Sequence, residues 1–261
     1  MTKLTGKLST VLFKGGIDIH KYIFDCIKHD INDNWKEFTE TTKVFYLSTG
    51  KNLDKDCDEY YGIDSKNVFI YNTFTGYKNM LPNYFDSFLY ALKSVIDTSN
   101  KYPIYIIIDS SILSSDKSHT PEERLSTRKY FIGFIESLVD MAMKPDSNIT
   151  LFTYYEIFEK PYTDYYPRFL DKEEYIKCGY SIIYLSYYIF RIDTVDDKHY
   201  EIRFLKNKDI DMNRFKEYVG YNSDDGSLYT CYTIPRLIRH AEESASNGSC
   251  NCNKKLDETE E

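Results

Sequence analysis

The chain has 261 residues, with 33 basic against 41 acidic side chains and a formal net charge of −8. That balance excludes a globally basic surface for nucleic acid, while the length is enough to bury one large α/β core. The 26 tyrosines and 16 phenylalanines, beside only 11 glycines and 7 prolines, read as the imprint of an AT-rich coding genome, which suits a virus-encoded chain, more than as an aromatic binding surface. The six cysteines, Cys26, Cys57, Cys178, Cys231, Cys250 and Cys252, show no zinc spacing and follow no secretory leader. They are expected to be reduced thiols of a cytoplasmic or nuclear protein. Cys250 and Cys252 lie in a polar tail, and two ligands alone make no closed metal site. No apolar run approaches the ~18 residues of a membrane span.

Taken in order, Val11-Leu12-Phe13 reads as a strand, Gly15-Gly16 as a turn, and the run after it as a helix with Ile23, Phe24, Ile27 and Ile31 on one face. Residues 32–42 are polar and break it. Residues 43–47 and 68–71 are short apolar runs of strand length. Pro82 suits the first turn of a helix over 83–97, striped by Phe85, Phe88, Leu89, Leu92, Val95 and Ile96. Residues 104–111 form an apolar run ending in Asp109-Ser110-Ser111, the pattern of a strand buried on both faces. Pro121 opens a long helix whose apolar positions run from Leu125 to Met143, and 149–154 is the next strand. Residues 156–179 read as a long connection, and connections of that length are usually functional. Residues 181–192 and 199–205 are expected to be an antiparallel strand pair joined by the turn at 193–198. An apolar segment at 234–238 precedes an acidic tail from 242 that is expected to be disordered. Strands alternating with helices, closed by a strand pair, predict an α/β sheet with a parallel centre, antiparallel edge strands and flanking helices.

One stretch carries candidate chemistry. Gly15-Gly16 and Lys21 have the spacing of a phosphate-cradling loop, and Asp109-Ser110 stands where a Walker B aspartate would meet Mg²⁺. The spacing is G-x-x-x-x-H-K-Y, however, and not G-x-x-x-x-G-K-[ST]. Lys21 reads equally as a solvated helix lysine and as a phosphate contact, and Asp109 equally as a strand-end cap and as a metal-site residue. Gly15 and Gly16 serve the turn whatever binds, while His20 and Tyr22 read as ordinary surface or packing residues.

With the segments around it, this stretch resembles the RecA/RadA recombinase core, in the RecA-like P-loop NTPase superfamily, over roughly residues 8–211. Leu47-Ser48-Thr49-Gly50-Lys51 is similar to that family's second strand and turn, and Tyr61-Gly62-Ile63-Asp64-Ser65-Lys66-Asn67-Val68 to its "G-[IV]-D-x-x-N" step. Ile106-Ile107-Ile108-Asp109-Ser110 resembles the Walker B strand. Glu201-Ile202-Arg203-Phe204-Leu205-Lys206-Asn207-Lys208 is similar to the "hhKN[KR]" ending of its last strands. The resemblance implies a RecA-like core domain over 1–241 followed by the tail at 242–261.

Departures from the pattern shape the functional expectation. His20 replaces the second glycine, adding bulk where backbone must approach a phosphate. Tyr22 replaces the Ser/Thr whose short hydroxyl holds Mg²⁺. Gly50 replaces the glutamate that activates water, and Tyr154 and Tyr155 replace the Asn/Gln sensors. The resemblance therefore implies a catalytically degenerate protein, without catalytic residues or a resident metal. Such a protein would bind or scaffold in DNA recombination, repair or replication, beside a RecA-like recombinase or another replication/repair protein. Residual contact with ATP and Mg²⁺ would use Gly15, Gly16, Lys21, Asp109 and Ser110. The resemblance also places a single-stranded-DNA or partner loop at Lys160, Tyr162, Tyr165, Tyr166, Arg168 and Phe169. Aromatics there could stack bases at ~1–3 kcal/mol each, although neighbouring carboxylates offset the positive charge. Lys206 and Lys208 match residues that act across subunit interfaces. Only about seven residues precede the core, so no filament-forming N-terminal domain is expected. Two alternatives stay open: a divergent DNA-dependent ATPase completed by a partner subunit, and a virion structural protein that kept only the fold.

Overall fold

The structure, a computed structural model, describes residues 7–35, 37, 40–48, 65–72, 81–98, 101–109, 120–159, 170, 174–176, 181–194, 199–207 and 218–222. The chain enters on β1 (Leu8–Lys14), turns at Gly15-Gly16 and continues as α1 (Ile19–Asn34). Then come β2 (Lys43–Ser48), a 3-10 turn (Ser65–Asn67), β3 (Val68–Asn72), α2 (Leu81–Thr98), β4 (Ile104–Asp109) and α3 (Pro121–Ala142). The rest is β5 (Ile149–Glu159), β6 (Glu174–Tyr175), a short α4 (Ser181–Leu185), β7 (Tyr188–Thr194), β8 (His199–Asn207) and β9 (Tyr218–Asn222).

Among the described residues these strands form one sheet in the order β3-β2-β4-β5-β1-β7-β8-β9, with β6 paired to β5. From β3 to β7 all neighbours are parallel, and β8 and β9 complete one side as antiparallel strands. The parallel centre with an antiparallel flank agrees with the sequence pattern. Its cause is visible in β4, whose six residues are all buried: parallel strands covered by helices on both faces carry continuous apolar runs.

The direction of travel explains the two layers. The step from β1 through α1 to β2 crosses the sheet toward β3, whereas the steps through α2 and α3 come back toward β5. Right-handed crossovers running in opposite directions place their helices on opposite faces. The core divides accordingly. On one face α1 packs over Val11, Val44, Tyr46, Ile107, Phe152 and Tyr154. On the other, α2 and α3 cover Leu12, Phe45, Leu47, Ile106, Ile108 and Leu151. The connection leaving β1 and the one leaving β5 thus depart on opposite sides, and the carboxyl ends of such strands are where open α/β sheets hold ligands.

Several boundaries differ from expectation. The run expected as one strand over 181–192 begins instead as α4, because Ile182 and Ile183 bury against the α2/α3 layer and the Ser186 N–H closes the turn on their carbonyls. β5 extends to Glu159 and β6 pairs with its end, so the expected connection over 156–179 begins in sheet and returns to it at Glu174–Tyr175. Leu125 and Met143, expected among the apolar positions of this helix, are 53% and 67% exposed, Met143 just past the helix end, since α3 packs through Phe131, Phe134, Ile135 and Leu138. β9 had no sequence expectation. The apolar segment at 234–238 and the tail at 242–261 lie outside the described residues. Among the described residues no helix is long and apolar enough to cross a membrane.

Candidate functional site

The candidate site is built around the turn after β1. Gly16 has φ +93°, a left-handed conformation that a β-carbon strains, so this glycine is required by the backbone. Gly15 has no such constraint, and a β-carbon there would lie 3.5 Å from Glu156 Oε1. Asp18 then caps α1: its carboxylate accepts the Lys21 N–H at 3.0 Å. A helix N-terminus attracts phosphate through free N–H groups and a positive dipole end. Here one of those N–H groups is taken, and the group that takes it brings its own negative charge.

Lys21 does not reach back over the turn. Its Nζ lies 2.9 Å from Asp25 Oδ2, one helical turn further on, and Lys28 holds the other oxygen of the same carboxylate at 2.8 Å. Tyr22 is 1% exposed and packs in the α1 core, so the position of the metal-holding hydroxyl is an interior aromatic. A Mg²⁺-phosphate group needs a short hydroxyl and an extended lysine here, and this donor set does not fit it.

Asp109 ends β4 and pairs in register with Tyr154 of β5. Both side chains point to the α1 face, as does Tyr46 of β2, because alternate residues of these strands share that face. Tyr154 hydrogen-bonds Asp109; its Oη lies 2.5 Å from Tyr46 Oη, which lies 2.5 Å from His20 Nδ1. The His20 ring meets both tyrosines edge-on, at centroid distances of 5.7 and 5.5 Å. A continuous relay thus runs from the first turn of α1 across β2 and β5 to the end of β4. Burial raises the Tyr154 phenol well above its ordinary value, with the Tyr46 oxygen and Asp109 adding to the effect. Burial lowers the imidazole of His20, while Asp18 and Asp109 pull it back up.

A second cluster lies at the other side of β1. Arg191 of β7 and Glu174 of β6, each 3% exposed, form a two-pronged pair with N–O distances of 2.6 and 2.8 Å. Arg191 also donates to Asp193 at 2.8–3.0 Å, and Arg203 of β8 donates to the same carboxylate. Lys14 at the end of β1 reaches Glu174 at 2.9 Å and Glu159 at 3.4 Å. Burial alone would lower Arg191, but its bonds to Glu174 and Asp193 more than reverse this and raise it. Burial alone would raise Asp193, and the hydrogen bonds from Arg191 and Arg203 hold it below its ordinary value. Lys14 is raised, first by its hydrogen bond to Glu174.

The candidate residues named from sequence therefore divide. Gly15, Gly16, Lys21 and Asp109 come to one edge of the sheet, but Lys21 and Asp109 are engaged by Asp25 and Tyr154. Lys206 donates to the Tyr184 carbonyl of its own chain at 3.1 Å. Ser110, Lys160, Tyr162, Tyr165, Tyr166, Arg168, Phe169, Lys208 and Gly50 lie outside the described residues. Sequence reasoning missed the bond from Tyr154 to Asp109 and the Tyr46–His20 link behind it, and it missed the Arg191 cluster. A signal for the latter exists: an arginine between Phe190 and Ile192 in an apolar strand must find buried partners. Among the described residues no three His, Cys, Asp or Glu side chains are arranged to hold a metal. Compared with known proteins, the chain matches no protein-family model and no curated protein.

Proposed function

We propose that the chain is a catalytically degenerate RecA-like protein that serves as a binding or scaffolding paralogue in DNA recombination, repair or replication. One observation carries the loss of catalysis: the groups that would hold a nucleotide are satisfied from within. Asp18 supplies the acceptor for the helix N-terminus, Asp25 holds the lysine, and the His20 relay engages Asp109. Glu156, exposed beside Gly15, adds a further negative charge to the mouth. A polyphosphate would have to displace these carboxylates and meet their field, which makes the site hostile to the ligand that a motor of this class requires. The RecA-like reading itself is supported by the ordered sequence resemblance, and by a parallel sheet that brings the glycine turn and Asp109 to one edge.

The test is an ATPase assay with Mg²⁺, with and without single-stranded DNA, beside thermal unfolding with and without Mg²⁺-ATP. No turnover above background and no rise in midpoint are expected. Mg²⁺-dependent hydrolysis that disappears in Lys21→Ala would overturn the proposal and favour an active enzyme.

A further inference from the structure

The relay that ends on Asp109 has a direction. A carboxylate carries no hydrogen and only accepts, so the Tyr154 hydroxyl donates to Asp109 and its oxygen accepts the hydroxyl hydrogen of Tyr46. The Tyr46 oxygen must then accept from His20, 2.5 Å away, which places a hydrogen on Nδ1. In a neutral imidazole with Nδ1–H, the lone pair is on Nε2, across the ring from Tyr46. Among the described residues no hydrogen bond reaches that nitrogen, and His20 is only half-buried.

The charges around it favour a cation. Asp18 in the turn and Asp109 at the end of β4 both act on the ring in that sense. On the neighbouring elements, Glu156 of β5 is exposed beside Gly15, while the nearby cations Lys14 and Lys21 are drawn to Glu174 and Asp25. Burial keeps the ring itself from supplying the positive charge at neutral pH.

We propose that His20 Nε2 is the acceptor of a binding site for a primary ammonium group. A single lone pair in a negative mouth suits a compact, rotating ammonium, whereas a guanidinium fork seeks the paired oxygens of a carboxylate. The cation is received as a hydrogen-bond donor to that lone pair. The inference uses only the relay geometry and the local charges, so it stands or falls separately from the RecA-like reading.

Nitrogen-15 NMR of the full chain, labelled at histidine, tests both halves. Above the His20 titration, the Nδ1–H tautomer is expected. Tyr154→Phe removes the acceptor of the Tyr46 hydroxyl, which can then donate to Nδ1, so the ring should switch to Nε2–H. Tyr46→Phe gives a second break in the relay should that variant fold poorly. Titration with n-butylammonium chloride should shift the His20 nitrogens saturably in the parent chain and not in Tyr154→Phe. Tetramethylammonium chloride, a cation without N–H, should leave them in place. A parent chain in the Nε2–H form would overturn the proposal. So would the absence of a saturable shift with butylammonium, or an equal shift with tetramethylammonium.

Discussion

The two sides of β1 solve the same problem with opposite chemistry. Toward β7 and β8, the ends of the strands are tied by ions: Lys14, Arg191 and Arg203 against Glu159, Glu174 and Asp193. Toward β5, β4 and β2, they are tied by a string of hydroxyls running from His20 to a single carboxylate. An ion cluster is costly to assemble and costlier to break, because removing one member strands its partner's charge in a dry interior. A string of neutral donors and acceptors loses only about one or two hydrogen bonds per break. The ionic side should therefore behave as fixed scaffold, and the hydroxyl side as the adaptable one.

The most severe break of that contrast is on the ionic side. Glu174→Gln keeps the shape but leaves buried Arg191 with half its carboxylates, and it should lower unfolding free energy by about 3 kcal/mol in denaturant titration. A loss under about 1 kcal/mol would mean the cluster behaves as a surface pair. The same cluster sets an acid limit. Asp193 is held below its unfolded value, so the stability it contributes is present above that value and is lost as pH falls through the lower folded one. Acid titration of the parent should show this loss below about pH 4, and Asp193→Asn should abolish that part of the dependence.

Breaking the hydroxyl side should cost less. Tyr46→Phe removes the central member but leaves Tyr154 bonded to Asp109, and the expected loss is about 1–2 kcal/mol. A loss as large as that of Glu174→Gln would erase the distinction between the two sides. Between them, Gly16→Ala places a β-carbon at φ +93° with nothing within 4 Å of it. It tests backbone strain alone, at about 1 kcal/mol; Gly15→Ala, without that φ, should cost less.

How much of this was legible follows from periodicity and its limits. The helical stripe of α2 and the continuous apolar run of β4 each carry a local pattern, so their type and limits could be read directly. α4 could not: Ser181–Leu185 is a single helical turn with strand-like residues, and only burial against α2 and α3 decides its form. The glycine turn was legible because φ > 0 demands glycine, yet the fate of Lys21 was not, since an i+4 carboxylate competes with any ligand. Asp18 and Asp25 were both in view as residues and absent as partners. The relay needed sheet register: Asp109 and Tyr154 meet only because β4 and β5 pair, and Tyr46 joins them through β2, more than a hundred residues before Tyr154 in the chain.

The smallest expected effect sharpens the comparison from a third position, beneath α1. Asp30 is buried near the helix end, where it accepts from the Tyr105 hydroxyl and, at 2.6 Å, from Asn34 Nδ2. Burial raises its carboxyl against the opposing effect of those two donors. A carboxyl raised in the fold contributes stability that is fully present below its unfolded pKa and is lost as pH rises through the folded value. Among the described residues no cation faces it, unlike Glu174, which faces Arg191. Asp30→Asn keeps an oxygen for Asn34 and offers an N–H to the Tyr105 oxygen, so both bonds can be rebuilt without the charge. Denaturant midpoints compared across pH should show the variant equal to the parent or slightly more stable at pH 7, by under about 1 kcal/mol. That advantage should shrink as the pH falls and be gone below the unfolded value of about 4, where the parent carboxyl is neutral in both states. A loss of several kcal/mol at pH 7 would instead show that the Asp30 charge is as tightly required as that of Glu174.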